Sequence, residues 1–224
     1  MWFNTAVVSE VSVAVQDYAK AIYSIGGEVS NSAIAERLGV SPASASAMVK
    51  RLESLGLVIH RPYRGVTLTD AGERVALEVI RHHRLIELYL AQALGMPWDR
   101  VHEEAEVLEH AISPQLSELI AAALGNPKRD PHGDPIPTSE GQIEERPTRS
   151  LAELEPGEVG TLVRVSDSDP AMLRYLSQRG ITPGDRFEVT DKQPFDGPLS
   201  VRFGDEEHVF GGALAGAMRT ETGG

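Results

Sequence analysis

The sequence predicts a mainly α-helical chain with an appended β module, and three observations carry that expectation. The first is a pair of short helical patterns near the N-terminus followed by a basic ribbon, "LVIHRPYRGVTLTDAG". The second is a pair of longer segments with apolar stripes, rich in histidine and carboxylate, between residues 70 and 124. The third is the change after Gly125, first to a proline-rich stretch and then to short alternating runs broken by glycine-rich turns.

Each element has a local reason. In "DYAKAIYSI", 17–25, Tyr18, Ile22 and Ile25 repeat at helical spacing. In "SNSAIAERLGV", Ser30 or Ser32 can cap, Ile34 and Leu38 lie one turn apart, and Gly39 ends the helix. Ser41 is a good N-cap for the next helix, with Pro42 at its first position, where the missing N–H costs nothing. Ala45, Met48, Val49 and Leu52 then define one buried face, and Leu55-Gly56 closes it. Two short helices joined by a glycine-containing turn, followed by strand, basic turn and strand, read as a winged helix-turn-helix over residues 1–74. A helical hairpin beside a small ribbon with no nucleic-acid role fits the same pattern.

A long helix is expected from Thr69 or Asp70 to Gly95, where Pro97 forbids continuation. A helix through 101–112 and another in "ISPQLSELIAAALG" follow, forming a helical part over 75–140. The stretch "NPKRDPHGDPIPTSEGQIEERPTRS" holds little to bury and reads as a linker, with 141–150 as its core. From 151 to 224, "GEVGTLVRV", "DRFEVTD", "PLSVRFG" and "EHVFGG" read as strands and "PAMLRYLSQRG" as a helix, a small partly open β-barrel.

Composition narrows the functional classes. The chain has 224 residues, 41% hydrophobic and 24% charged, with no apolar run near the roughly 18 residues that span a bilayer. "MWFNTAVVSEVSVAV" lacks a basic residue ahead of an apolar segment, so no secretory signal is expected and the chain is placed in the cytoplasm. With no cysteine, disulfides, thiolate metal sites and cysteine nucleophiles are excluded together. The net charge of −12 opposes DNA binding, but residues 1–74 carry seven basic against seven acidic groups, so the acidic excess lies further along.

The stretch "VHEEAEVLEH", 101–110, carries the chemistry. On one helix, Val101, Ala105, Leu108 and Ile112 form an apolar stripe, and His102, Glu106, Glu109 and His110 form a contiguous polar stripe beside it. The preceding helix offers His83 and Glu87 at i and i+4. An acidic solvated face explains any one of these residues. Three histidines and three carboxylates at i+3 and i+4 spacing on consecutive helices resemble a first-row metal site more than a surface, because like charges one turn apart repel. Oxygen and nitrogen donors without sulfur suit Mn²⁺, Fe²⁺, Co²⁺ or Zn²⁺, and the hard oxygens tilt the choice toward manganese.

Together, "DYAKAIY" at 17–23, "PYRGVTLT" at 62–69, "HHRLIE" at 82–87, "VHEEAEVLEH" at 101–110 and "HGDPIP" at 132–137 resemble the diphtheria toxin repressor family of metal-dependent regulators, in its three-domain, manganese transport regulator branch. The resemblance covers nearly the whole chain. It implies a metal-binding and dimerisation domain at 75–140, an SH3-like C-terminal domain, and a homodimer on palindromic double-stranded operator DNA. It implies a primary metal site of Asp17, Glu106, Glu109 and His110, with His83 shared or nearby, and an ancillary site of His83, Glu87 and His102, to which Asp167 and Asp169 are the only alignable additions from the barrel. The iron-sensing branch carries a methionine and a cysteine where this sequence has Asp17 and Glu106, so manganese is expected, with Fe²⁺ the alternative. Lys20 stands where two-domain manganese regulators often carry a further carboxylate, which argues against a closely spaced two-manganese cluster.

The resemblance also implies that Ser41, Pro42, Ser44, Ser46 and Ala47 face bases, that Lys50, Arg51, Arg61 and Arg64 contact phosphates, and that metal-uptake genes are repressed. No membrane and no small organic substrate is expected as a partner. Two rivals remain. A metal-dependent hydrolase is disfavoured because no separate general base or nucleophile motif is present. An adaptor acting through the β-barrel is the other.

Overall fold

The computed structural model describes residues 11–195 and 197–222. The chain divides into two compact units, Met1–His83 with Glu109–Pro114 and Pro137–Ile143, and Arg84–Leu108 with Gln115–Ile136 and Glu144–Gly224.

In the first unit, α1 (Val13–Ile25), α2 (Asn31–Arg37) and α3 (Pro42–Ser54) precede a two-stranded ribbon, β1 (Val58–Arg61) and β2 (Gly65–Leu68). The caps follow the sequence. Ser30 Oγ accepts from Ala33 N and Ser41 Oγ from Ser44 N, each at 3.1 Å. The strands pair antiparallel from Val58 opposite Leu68 to Arg61 opposite Gly65, and Val29 bridges to Val66 as a third rung. Ile22, Ile34, Ala45, Val49, Leu52, Val58 and Val66 share one core with Val75 and Ala76 of α4 (Asp70–Leu94). Gly72 lets the start of α4 approach this core, because a Cβ there would lie 2.0 Å from the Leu57 carbonyl oxygen. The arrangement is the expected winged helix-turn-helix.

In the second unit lie the rest of α4, α5 (Val101–Leu108), most of α6 (Pro114–Ala123) and a six-stranded antiparallel sheet. Its strands are β3 (Arg149–Ser150), β4 (Val159–Val165), β5 (Arg186–Lys192), β6 (Leu199–Phe203), β7 (Glu206–Phe210) and β8 (Met218–Thr222), in spatial order β3-β8-β4-β5-β6-β7. Leu162, Leu173, Leu176, Val189, Val201, Phe210 and Met218 fill its core, with α7 (Pro170–Ser177) and α8 (Gly212–Ala217) over it. This is the SH3-like module, and β3, β8 and α8 add to the elements read from sequence. No helix among the described residues is long and apolar enough to cross a membrane.

Two expectations require correction. The helix expected through 112 stops at Leu108, and residues 109–111 form turns. Leu108 is consequently exposed rather than part of an apolar stripe. The physical cause is tertiary: the Glu109 carbonyl accepts from His82 Nδ1 at 3.2 Å and its side chain is buried, which draws the backbone off the helical path.

The second correction concerns the stretch after Gly125. Asp130, His132, Gly133, Pro135, Ile136 and Pro137 are buried, so this part is packed structure and not linker. Its polar backbone is satisfied locally: Asp130 Oδ1 accepts from the N–H groups of His132 and Asp134, each at 2.9 Å, and the His132 carbonyl accepts from Val165 N on β4 at 2.9 Å.

Candidate metal centres

Ligand atoms of Asp17, Glu109 and His110 in the first unit lie within 4.8 Å of one another. Asp17 comes from α1, and Glu109 and His110 from the turn after α5. His110 Nε2 is 2.9 Å from Asp17 Oδ1 and 3.3 Å from Glu109 Oε1. Its other nitrogen, Nδ1, is 2.6 Å from the amide oxygen of Gln16. An amide oxygen can only accept, so Nδ1 donates to it, and Nε2 is the ring atom that faces the two carboxylates. A ring nitrogen between two carboxylate oxygens is a place for a proton or a metal ion, and a ring held through its other nitrogen has the orientation a metal-bound imidazole requires.

Burial pushes the Asp17 carboxyl above its ordinary range, and the neighbouring Glu109 adds to this, against the His110 imidazole and Lys20. His83 Nδ1 lies 2.5 Å from Glu109 Oε2, and Lys20 Nζ donates to both Glu109 oxygens at 2.9 and 2.7 Å. His82, beside this group, is held below the ordinary imidazole range, chiefly by burial.

The second unit holds two adjoining clusters that share Glu87. Ligand atoms of Glu87, His102 and Asp167 fall within 4.8 Å of one another, with His102 Nδ1 3.3 Å from Glu87 Oε1 and 3.0 Å from Asp167 Oδ2. The hydrogen bonds to Asp167 and Glu87 raise the His102 imidazole to about 10. Asp167 is lowered in return: burial opposes its charge, and the bond to His102 outweighs it.

Glu87, Asp130 and His132 form the other cluster, all three buried. His132 Nε2 is 2.7 Å from the Trp98 carbonyl, which again can only accept, and its ring stacks on Trp98. Its buried Nδ1 therefore has no hydrogen-bond partner and faces Glu87 Oε2 at 3.7 Å. Burial disfavours the charged ring, but the Glu87 carboxylate and Asp130 raise His132 to about 9. Asp130 is itself pushed well up, by burial first and by Glu87 second. A buried imidazole nitrogen without a donor, aimed at carboxylates, fits a cation as well as it fits a proton.

The residues expected from sequence are distributed as follows. Asp17, Glu109 and His110 meet in the first unit, where His83 also reaches Glu109. Glu87, His102 and Asp167 meet in the second. Glu106 lies in the second unit, exposed, with Oε1 3.7 Å from His102 Nε2. Asp169 instead caps α7, accepting from Ala171 N at 2.8 Å. Sequence reasoning missed Asp130 and His132; the signal was a histidine next to Gly133 inside a stretch assumed to bury nothing.

On the helix-turn-helix, Ser41, Pro42, Ser44, Ala47, Lys50 and Arg51 are exposed on α3, while Ser46 is half-buried and its hydroxyl accepts from Asn31 at 3.2 Å. Arg61 pairs with Glu28 at 3.1 Å, and Arg64 stands exposed in the wing turn beside Tyr63, whose φ is 65°.

A winged helix with clustered oxygen and nitrogen donors defines a metal-responsive DNA-binding protein, and comparison with known proteins places it. Residues 10–66 match the family described as "Iron dependent repressor, N-terminal DNA binding domain", residues 69–138 its "metal binding and dimerisation domain", and residues 149–220 the "FeoA domain". The iron-dependent repressor IdeR of Mycobacterium tuberculosis is 30% identical over 229 residues, covering 96% of this chain and 99% of its own. The diphtheria toxin repressor of Corynebacterium glutamicum is 38% identical over 104 residues, 46% of each chain. Among solved structures, a manganese-dependent transcriptional repressor in complex with manganese is 43% identical with a TM-score of 0.86, covering 93% of this chain and 99% of that one. The manganese regulator SloR is 33% identical with a TM-score of 0.74, covering 93% and 98%. The chain belongs to the diphtheria toxin repressor family, in its manganese transport regulator branch. It is a metal-dependent DNA-binding repressor and not an enzyme.

Proposed function

We propose that the chain is a manganese-activated homodimeric repressor acting in the cytoplasm on a palindromic operator that controls metal-uptake genes. The observation that supports this most directly is the meeting of Asp17 with Glu109 and His110, because Asp17 sits on α1, which packs in one core with the helix-turn-helix. Asp17, Glu109 and His110, with His83 beside them, would hold the activating ion, and the family resemblance adds Glu106 as a further donor. Glu87, His102 and Asp167, with Asp130 and His132, would hold the ancillary one. A bound divalent ion would add positive charge to each set of carboxylates, beside what Lys20 brings to the first and the protonated His102 and His132 bring to the second. Gln16 keeps His110 Nε2 aimed at the carboxylates. Glu109 and His110 would then hold α1 against the turn at 109–111, within the unit that carries the DNA-binding helices.

Residues 1–74 would bind DNA, 75–140 would bind metal and dimerise, 141–150 would connect, and 151–224 would be the SH3-like domain. Val107 on α5 and Leu119 on α6 are exposed apolar side chains in the dimerisation part. Ser41, Pro42, Ser44, Ser46 and Ala47 on α3 would face the major groove and, offering few hydrogen-bonding groups, would read shape as much as bases. Lys50, Arg51, Arg61 and Arg64 would bind phosphates.

The sulfur-free donor set favours Mn²⁺. The second reading is Fe²⁺, favoured by the iron-dependent repressor relatives; Co²⁺ and Zn²⁺ would fill the sites in vitro. Fluorescence anisotropy on an operator selected from random DNA tests the choice, in chelator and then in buffered Mn²⁺, anaerobic Fe²⁺ and Zn²⁺. Binding at lower free Mn²⁺, relative to cellular supply, than Fe²⁺ is the expected result. Equal binding in chelator overturns metal activation. Asp17→Ala and Glu106→Ala should each abolish metal-activated binding with the fold intact by circular dichroism, and normal activation in either removes that residue from the site.

A further inference from the structure

Glu109 is the hub of the first donor group, and its acceptor capacity is already taken. A carboxylate offers about four lone-pair directions. Lys20 Nζ engages both oxygens at 2.9 and 2.7 Å, His83 Nδ1 lies 2.5 Å from Oε2, and His110 Nε2 lies 3.3 Å from Oε1. The Glu109 side chain is wholly buried, and that of Lys20 is 18% exposed. An ion that uses Glu109 must therefore take a lone pair now engaged. His83 and His110 are candidate ligands themselves. Lys20 has three donors and no lone pair in its charged form, so it is the group that competes with a metal rather than binding it. Its long flexible stem, on α1 one turn from Asp17, also makes it the group that can withdraw.

We propose that Lys20 is a tethered monovalent cation that competes with the divalent ion for Glu109 and thereby sets the free-metal concentration at which the first group fills. This rests on the reading that Asp17, Glu109 and His110 hold the activating metal. The ammonium has a second effect: it neutralises a buried carboxylate when no divalent ion is bound, so that α1 stays joined to the turn after α5. Weaker metal binding and a more stable unloaded protein are thus one trade made by one side chain.

The test uses the full chain in a Glu87→Gln background, because Glu87 is common to both clusters of the second unit and its loss leaves the first group to be read. Free Mn²⁺ is followed by electron paramagnetic resonance for Lys20, Lys20→Met, Lys20→Arg and Glu109→Gln proteins. Lys20→Met should lower the apparent Kd for Mn²⁺ at least about tenfold, the lower end of what a hydrogen bond to a charged group contributes. Lys20→Arg, which keeps the charge and can engage both Glu109 oxygens, should bind Mn²⁺ no more tightly than the parent. In chelator, Lys20→Met should melt below the parent, and saturating Mn²⁺ should raise its melting temperature by more than it raises the parent's. Unchanged or weaker Mn²⁺ binding by Lys20→Met overturns the proposal. Glu109→Gln separates the two failures: if it keeps parental Mn²⁺ affinity, the donor-group reading itself is wrong; if it loses binding while Lys20→Met changes nothing, only the role of Lys20 falls.

Discussion

His132 shows how a single imidazole can be committed by its surroundings. One nitrogen is fixed on the Trp98 carbonyl and the other faces Glu87 at 3.7 Å, so below its folded-state value of about 9 the ring is charged, held so by the Glu87 carboxylate and by Asp130. His102 is raised further, to about 10. The folded-state values lie above the ordinary histidine value, so the stabilisation is fully present below about pH 6.5 and is lost as pH rises through 9 to 10. In chelator, the wild-type chain should therefore lose on the order of 1–3 kcal/mol between pH 6.5 and 9.5 that His132→Asn does not lose. Thermal midpoints across that range measure it, and parallel pH profiles would remove the proposed ion pair. Glu87, His102, Glu109 and His110 stand out in the sequence as donor types at helical spacing, whereas Asp17 enters only through the family resemblance. Their division was not legible there. Burial of Glu109 and the role of His132 depend on contacts 27 to 45 residues distant in sequence, from His82 to Glu109 and from Glu87 to His132, which no local pattern encodes.

Among the elements, those with local punctuation were legible: α3 from Ser41-Pro42, α4 from Asp70 to the break at Gly95, and the wing from its glycine turn. Helix α5 was not, since the apolar spacing continues to Ile112 while the chain turns at Glu109 to satisfy His82. β8, "MRTET", escaped notice because its polar alternation acquires meaning only through its partners β3 and β4. The segment around Gly133 gives the sharpest element-level prediction. Gly133 has φ 91°, and a Cβ there would lie 1.9 Å from the Val163 carbonyl of β4. Gly133→Ala must push this segment off the strand and carry Asp130 and His132 with it. The combined steric and backbone cost should be about 3 kcal/mol in urea unfolding, with loss of the ancillary metal by direct metal counting. A cost below about 1 kcal/mol would show that the segment yields easily and does not hold His132 in place.

For the molecule as a whole, a net charge of −12 sets the problem: a repressor must bind a polyanion while itself strongly acidic. The solution is local, with Lys50, Arg51, Arg61 and Arg64 concentrated on α3 and the wing. Each phosphate contact should therefore appear in the salt dependence, and Lys50→Ala should reduce the slope of log K against log salt by about 0.9 per DNA-contacting chain, with little change in sequence preference. The same global view constrains activation. If metal at Asp17, Glu109 and His110 raises operator affinity by some factor, the thermodynamic cycle requires operator DNA to raise metal affinity by an equal factor, in the range of roughly 5 to 150 for couplings of this kind. Operator affinity is measured by anisotropy in chelator and in saturating Mn²⁺, and Mn²⁺ affinity by paramagnetic resonance with and without saturating operator. Equal ratios mean that metal and operator act on one folded state and close a single cycle. Unequal ratios would mean that the two titrations start from different states of association, so that the ion also shifts the equilibrium between single chains and dimers before DNA is met.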